Sequence, residues 1–173
     1  MQYRFESEWV IASPIEEVFD LLVSPDGYSG WWPSVKNSRL VDKGGADGVG
    51  ARATYSIKSP LLYRLDFEAI IAEIRRPERI HMLARGDLIG TGTFELSRRL
   101  GNTVAEYRWY VSTTKKWMNA VAPIGKPLFV WAHHSVMREG CAGLAKRLGG
   151  QVISTSSRLV DEPGPSLSGR TVS

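Results

Sequence analysis

The chain has three histidines, and one of them stands where acid-base chemistry would need it. His133 lies four residues before Met137 and eight before Cys141, so on a helix it shares their apolar stripe. Two roles fit that place: a hydrogen-bonded core histidine, or a general acid or base titrating near neutrality. His134 points about 100° away around the helix. Tyr107, His81 and Arg85 complete the catalytic candidates. Metal binding is not expected, because adjacent His133 and His134 cannot share one side of a tetrahedral site and no Cys-x-x-Cys or His-x-x-x-His occurs. No cofactor is expected either. Cys141 lacks a helix N-terminus to lower its pKa, no Gly-x-Ser-x-Gly elbow exists, and the glycines from Gly44 to Gly50 come without the lysine of a phosphate loop.

Apolar residues on strand parity offer a different chemistry, enclosure of a hydrophobic molecule. Tyr63, Leu65, Phe67 and Ala69 fall on one face of a strand and Tyr107, Trp109 and Val111 on one face of another; they either line a pocket or fill a solid core. Gly90 and Gly92 sit two apart between Leu88 and Phe94, where they either leave space or curve the sheet. On the terminal helix Val130, His133 and Met137 face the same interior. Trp31 and Trp32, with Trp117 and Met118, fall at connections and either form a lid, meet a membrane or cap the core.

The elements that would hold these residues follow from periodicity. Tyr3 to Ile11 alternates as a half-buried strand, and Ser13 caps a short helix with Pro14 in its first turn and an apolar stripe of Ile15, Val18, Phe19 and Leu22. Ser24 to Gly27 reads as a turn or second helix start. Strands follow over 35–41, 51–58, 62–74, 79–84, 88–97 and 103–112, joined by connections short enough to make them antiparallel neighbours. A short helix through Trp117, Met118 and Val121 is interrupted by Pro123 and Pro127, and a helix from about Lys126 to Leu148 ends at Gly149-Gly150. Residues 150–173, rich in Ser, Gly and Pro, read as a disordered tail.

This order of elements carries a resemblance. Ala12-Ser13-Pro14-Ile15-Glu16-Glu17-Val18-Phe19 resembles the opening of the START, polyketide cyclase/dehydrase and birch-pollen-allergen-like superfamily (SRPBCC). Leu61-Leu62-Tyr63-Arg64-Leu65, Gly86-Asp87-Leu88-Ile89-Gly90, Trp117-Met118-Asn119 and Pro127-Leu128-Phe129-Val130-Trp131-Ala132-His133 look like a bacterial branch of it. The likeness covers residues 3 to 149. It implies an α+β helix-grip fold: a curved antiparallel sheet of six to seven strands, two short N-terminal helices and one long C-terminal helix enclosing an apolar cavity, in one domain over residues 1–149. The expected ligand-binding residues are Tyr63, Leu65, Phe67, Gly90, Phe94, Tyr107, Trp109, Val130, His133, Met137 and Trp117.

Charge narrows the partners. The 22 basic and 18 acidic residues leave a net +4 in scattered pairs such as Arg75-Arg76 and Lys115-Lys116. That is no polybasic block, so no nucleic-acid partner is expected, while transient contact with an anionic membrane stays open. A lone cysteine suits a reducing compartment, and no secretory or membrane-spanning run is visible, so a cytoplasmic location is expected. The leading expectation is a non-catalytic carrier for a lipid, quinone, polyketide or aromatic metabolite. A cyclase, aromatase or dehydrase using cavity His and Tyr, and a protein or membrane interaction module, are the alternatives.

Overall fold

The computed structural model describes residues 2–160, the side chains of 121–123 excepted. Alternation sets its first element: β1 (Gln2–Ile11) buries Tyr3, Phe5, Ser7 and Trp9 on one face and turns Glu6 and Glu8 to the other. α1 (Ile15–Val23) buries the stripe Ile15, Val18, Phe19 and Leu22 and carries Glu16 and Glu17 in its first turn. Ser13 is not its cap. Pro14 holds that position without a side-chain hydrogen bond, while buried Ser13 uses its carbonyl to accept from Thr103 Oγ1 at 2.6 Å, tying the helix start to the sheet. A 3₁₀ turn (Pro25–Gly27) and α2 (Tyr28–Trp31) lead into β2 (Val35–Asp42), β3 (Arg52–Lys58), β4 (Arg64–Arg75), β5 (Arg79–Gly86), β6 (Leu88–Arg99) and β7 (Asn102–Thr113). α3 (Lys116–Arg147) and β8 (Val152–Leu159) complete the order.

The strands form one open, curved antiparallel sheet in the order β2-β3-β4-β5-β6-β7-β1-β8, so eight strands replace the six to seven expected. The addition is β8. Read from composition as part of a disordered tail, residues 152–159 instead pair with β1 from Phe5↔Leu159 to Ile11↔Val152, and the Ser7 and Ser157 hydroxyls lie 2.7 Å apart. Residues 161–173 of that expected tail lie outside the described residues. Register shifts at Val10/Ile11 and Ile71/Glu73 add bends to the sheet. Its outer face is polar; Glu95, for example, lies between Arg79 and Arg108, whose Nη2 is 2.6 Å away.

α3 also departs from expectation. It runs for 32 residues, about 48 Å at 1.5 Å per residue, through Pro123 and Pro127 without a break. Each proline removes one helical hydrogen bond, but packing on both sides overrides that loss, since Met118, Phe129 and Ala132 are all buried against the sheet. The side chain of Val121, assigned to the shorter helix, lies outside the described residues.

The core divides in two along α3. Around its C-terminal half, Trp9, Phe19, Trp31, Trp32, Cys141 and Leu144 belong to a cluster that α1 and α2 close. Around its N-terminal half, Tyr3, Phe5, Trp109, Val111, Met118 and Phe129 form a second, smaller cluster. Trp31 and Trp32 are buried, which makes them caps of the core and not a lid. They approach α3 where it has no side chains: a Cβ at Gly140 would overlap the Trp32 indole, and one at Gly143 would overlap the Trp31 carbonyl oxygen. Trp32 Nε1 then donates to the Val136 carbonyl at 2.9 Å.

Helix propensity alone favours alanine over glycine in a helix by up to about 1 kcal/mol. At these two positions the overlap should reverse that sign. Gly143→Ala, which meets backbone, is expected to lower stability by at least about 2 kcal/mol, and Gly140→Ala, which meets a side chain able to shift, by less. Denaturant unfolding of both variants checks this, and a Gly143→Ala protein as stable as the parent would contradict the packing described.

Candidate functional site

Where the second cluster leaves the sheet incompletely filled, a cavity of about 130 Å³ lies between α3 and the strands. β1 contributes Tyr3 and Phe5, the start of β4 contributes Leu65 and Phe67 with Tyr63 just before it, and β7 contributes Tyr107, Trp109 and Val111. α3 closes it with Met118, Phe129, Ala132, His133, Val136 and Met137. A second void of about 60 Å³ adjoins it, sharing Trp32, Ile57, Phe67, Tyr107 and Trp109 as a common wall. The larger cavity is below the roughly 300 Å³ usual for drug-sized ligands and close to the roughly 150 Å³ of an engineered apolar cavity that takes up benzene. Its scale in this conformation is one ring.

Seven of the eleven expected ligand-binding residues meet here: Tyr63, Leu65, Phe67, Tyr107, Trp109, His133 and Met137. Phe94 lines the smaller void. Val130, Trp117 and Gly90 line neither. Val130 packs against the second cluster, and Trp117 is 47% exposed with its ring edge-on to Tyr63 at 5.7 Å. Gly90 has φ +155° and its Cβ would overlap the Tyr110 carbonyl, so its role is close approach of β6 to β7 and not space for a ligand. Gly92 does provide space, but aromatics take it: a Cβ there would come within 2.9 Å of the Trp109 ring and 3.0 Å of Tyr107 Oη.

The four catalytic candidates separate. Tyr107 and His133 reach the cavity; His81 and Arg85 do not. His81 is held across the sheet, its Nδ1 2.8 Å from Thr93 Oγ1, and Arg85 is exposed on β5. Sequence reasoning missed Phe5, Met118 and Phe129 as liners, although the Tyr3/Phe5 alternation was its visible signal for β1.

No lining side chain is an Asp, Glu, Lys or Arg. Burial, with the neighbouring His134 charge, pushes the His133 pKa down from 6.5 to about 3, so the ring is neutral at physiological pH. It stacks on Phe5 with ring centroids 3.7 Å apart and planes 12° from parallel. Burial also raises the phenols of Tyr3, Tyr63 and Tyr107. The cavity is therefore uncharged. Its hydroxyls differ in how they are satisfied: Thr113 Oγ1 lies 3.5 Å from Met118 Sδ and accepts from the Lys115 amide at 3.2 Å, and Ser59 Oγ accepts from the Leu61 amide at 3.2 Å. Tyr3 Oη and His133 Nε2 are covered yet have no hydrogen-bond partner among the described residues. Each such atom costs about 1–3 kcal/mol until something bonds it.

A family model described as polyketide cyclase/dehydrase and lipid transport matches residues 2–149. Among solved structures the chain is similar to a conserved protein from Geobacillus kaustophilus, at TM-score 0.68 and 16% identity over 84% of this chain and 95% of that one. It is similar to a START superfamily protein from Mycobacterium smegmatis, at TM-score 0.68 and 12% identity over 85% and 97%. The di-domain ARO/CYC BexL from the BE-7585A biosynthetic pathway matches at TM-score 0.69 and 14% identity, this chain covering 51% of it and 87% of itself being covered. At these identities the likeness is one of fold. No curated protein matches the sequence.

The buried histidine makes stability depend on pH. The unfolded chain binds a proton at His133 near the ordinary value of 6.5 while the folded chain resists it down to about 3. The stabilisation is thus complete above 6.5 and is lost as pH falls, at up to about 1.4 kcal/mol per pH unit. His134, lowered by burial and by Arg138, adds a slope of the same sign. Denaturant midpoints between about pH 6.5 and 5, above the range of ordinary carboxylates, should fall accordingly, and His133→Gln should remove the larger part of the slope. A flat profile in the parent protein would refute the burial of that ring.

Proposed function

The chain belongs to the polyketide cyclase/dehydrase and lipid transport family, and from that premise we propose that it is a non-catalytic binding protein for an uncharged, mostly apolar molecule held between α3 and the sheet. The observation that carries this reading is the cavity wall, aromatic and aliphatic apart from the Ser59 and Thr113 hydroxyls and the neutral His133 ring, with no ionised group. An apolar ligand gains about 25 cal/mol for each Å² it removes from water. A carboxylate or phosphate brought to the same place would lose its hydration with no cation to replace it. Tyr3, Tyr63, Leu65, Phe67, Tyr107, Trp109, His133 and Met137 form the proposed binding surface, with Tyr3 Oη and His133 Nε2 free to bond one neutral polar group of the ligand. The lone buried Cys141, its thiol pushed up to about 11 by burial, fits the proposed cytoplasmic setting.

The enzymatic alternative draws on the ARO/CYC neighbours and on Tyr107 beside His133. A general acid or base works best with a pKa near the operating pH. His133 at about 3 and Tyr107 well above its ordinary value lie on opposite sides of that optimum, which favours holding over turnover.

Binding should follow charge and volume. Calorimetry is expected to detect a single-ring phenol and to detect no binding of benzoate, which is of similar size but ionised. Ala132→Leu, which extends a buried lining residue into the cavity, should weaken the phenol at least about tenfold, or about 1.4 kcal/mol. Equal affinity for phenol and benzoate, or chemical conversion of a bound ligand that His133→Gln abolishes, would overturn the proposal.

A further inference from the structure

The inner side of α3 accounts for the cavity; its outer side is unexplained by it. From Lys116 to His134 the helix contains no acidic residue, and its only formal charges are Lys116 and Lys126. The inner side buries Met118, Phe129 and Ala132, while the outer side exposes Trp117, Ile124, Leu128 and Trp131, the isoleucine at 92%. Steps of seven, four and three residues put these four on one stripe. This half of the helix is thus apolar nearly all round, a pattern proper to a helix covered on both sides, yet among the described residues it is covered on one. Beyond His134 the pattern ends: Arg138, Lys146 and Arg147 restore a polar outer face.

The stripe has a neighbour. Leu62 closes the turn between β3 and β4, its amide donating to the Ser59 carbonyl at 2.9 Å, and it is 79% exposed with φ +65°. It precedes Tyr63, whose ring meets Trp117 edge-on and Phe129 at 5.9 Å. Single exposed apolar side chains are ordinary, but an array with two tryptophans at the rim of a cavity marks a contact surface.

Charge selects the partner. Exposed Lys116 starts the stripe, Lys126 lies within its span, and Lys115 beside it is paired with Asp87 at 2.9 Å. A second copy of the chain, packed on the same stripe, would offer these cations no carboxylate, because residues 116–134 carry none. An anionic lipid surface complements them, and tryptophan favours the interface between headgroup and acyl chain. No described helix is long and apolar enough to cross a membrane, so the contact is with the surface.

We propose that the exposed stripe Trp117, Ile124, Leu128 and Trp131, with Leu62, docks the protein on the surface of an anionic bilayer. α3 then lies along the interface, its outer side in the headgroup layer and its inner side forming the cavity wall, so that an apolar ligand passes between bilayer and cavity at this rim. The docking itself does not depend on what the cavity holds.

Flotation of the purified full chain with vesicles of phosphatidylcholine alone, and with added phosphatidylserine, tests this. Binding is expected with phosphatidylserine, reduced severalfold by raised salt and by Lys116→Glu. The double variant Leu128→Glu/Trp131→Glu, at two exposed positions, should lose at least about tenfold in vesicle affinity while keeping its melting temperature and its affinity for a single-ring phenol. Absence of binding to phosphatidylserine vesicles would overturn the proposal, as would unchanged binding by the double variant. A concentration-dependent dimer in light scattering that the double variant abolishes, without vesicle binding, would assign the stripe to a second copy instead.

Discussion

One helix has to cover the concave face of an eight-stranded sheet, and its width is insufficient. Strands lie about 4.8 Å apart, so eight of them would span roughly 34 Å if flat, against about 10 Å for a helix with its side chains. Curvature closes part of the difference, and what fills the rest sets the character of each end of the molecule. At the C-terminal half of α3 the remainder is filled by α1, Trp31 and Trp32, which come close because Gly140 and Gly143 offer no side chain. At the N-terminal half nothing equivalent arrives from outside the sheet among the described residues. Aromatic side chains of β1, β4 and β7 reach inward, and they leave the cavity.

Much of this was legible in the sequence because strand alternation survives in a sheet with one wet face. Tyr3, Phe5 and Trp9, or Leu65 and Phe67, are inward for the reason their spacing suggests, and the family likeness supplied the order in which the strands close on a helix. Three features were not legible. β8 is an edge strand exposed over most of its length, so its Ser and Thr residues read as tail, and only Val152, Ile153 and Thr155 hinted at strand propensity. α3 continues through two prolines because burial on either side outweighs a local penalty that propensity alone cannot weigh. Gly90 and Gly92 look alike in sequence, yet one serves the backbone and the other makes room for Trp109 and Tyr107, a difference fixed by what β7 presents opposite each.

The site shows the same division. Periodicity placed seven liners on inward faces, but it could not place Trp117, whose helix position faces out, nor distinguish a titrating histidine from a silenced one. His133 is silenced by depth: with its ring against Phe5 and no carboxylate among the cavity liners, protonation would strand a charge in an apolar wall. Under the proposed binding role, that uncharged wall would favour a neutral ligand, which loses little on entry, over an ion, which loses most of its hydration.

How α3 is held differs along its length in a way that bears on access. The far half is fixed by burial of Cys141, Leu144 and Ala145 and by the Ser34 hydroxyl donating to Glu139 at 2.6 Å. The near end combines the burial of Met118 and Phe129 with polar contacts around the turn before it: Thr114 Oγ1 to the Gly86 carbonyl at 3.0 Å, Asn119 Nδ2 to the Thr113 carbonyl at 3.1 Å, and Lys115 to Asp87 at 2.9 Å. Contacts of this kind contribute about 1 kcal/mol each, whereas burial of a large apolar side chain contributes about 1.5–3 kcal/mol. Local opening follows the apolar surface that must be exposed. Over the cavity it includes Met118, Phe129 and Ala132, all buried, although the helix there rests partly on empty space. Under the proposed binding role, a ligand entering at the cavity end of α3 would displace Met118 and Phe129 and leave the packing of Trp9, Cys141 and Leu144 in place.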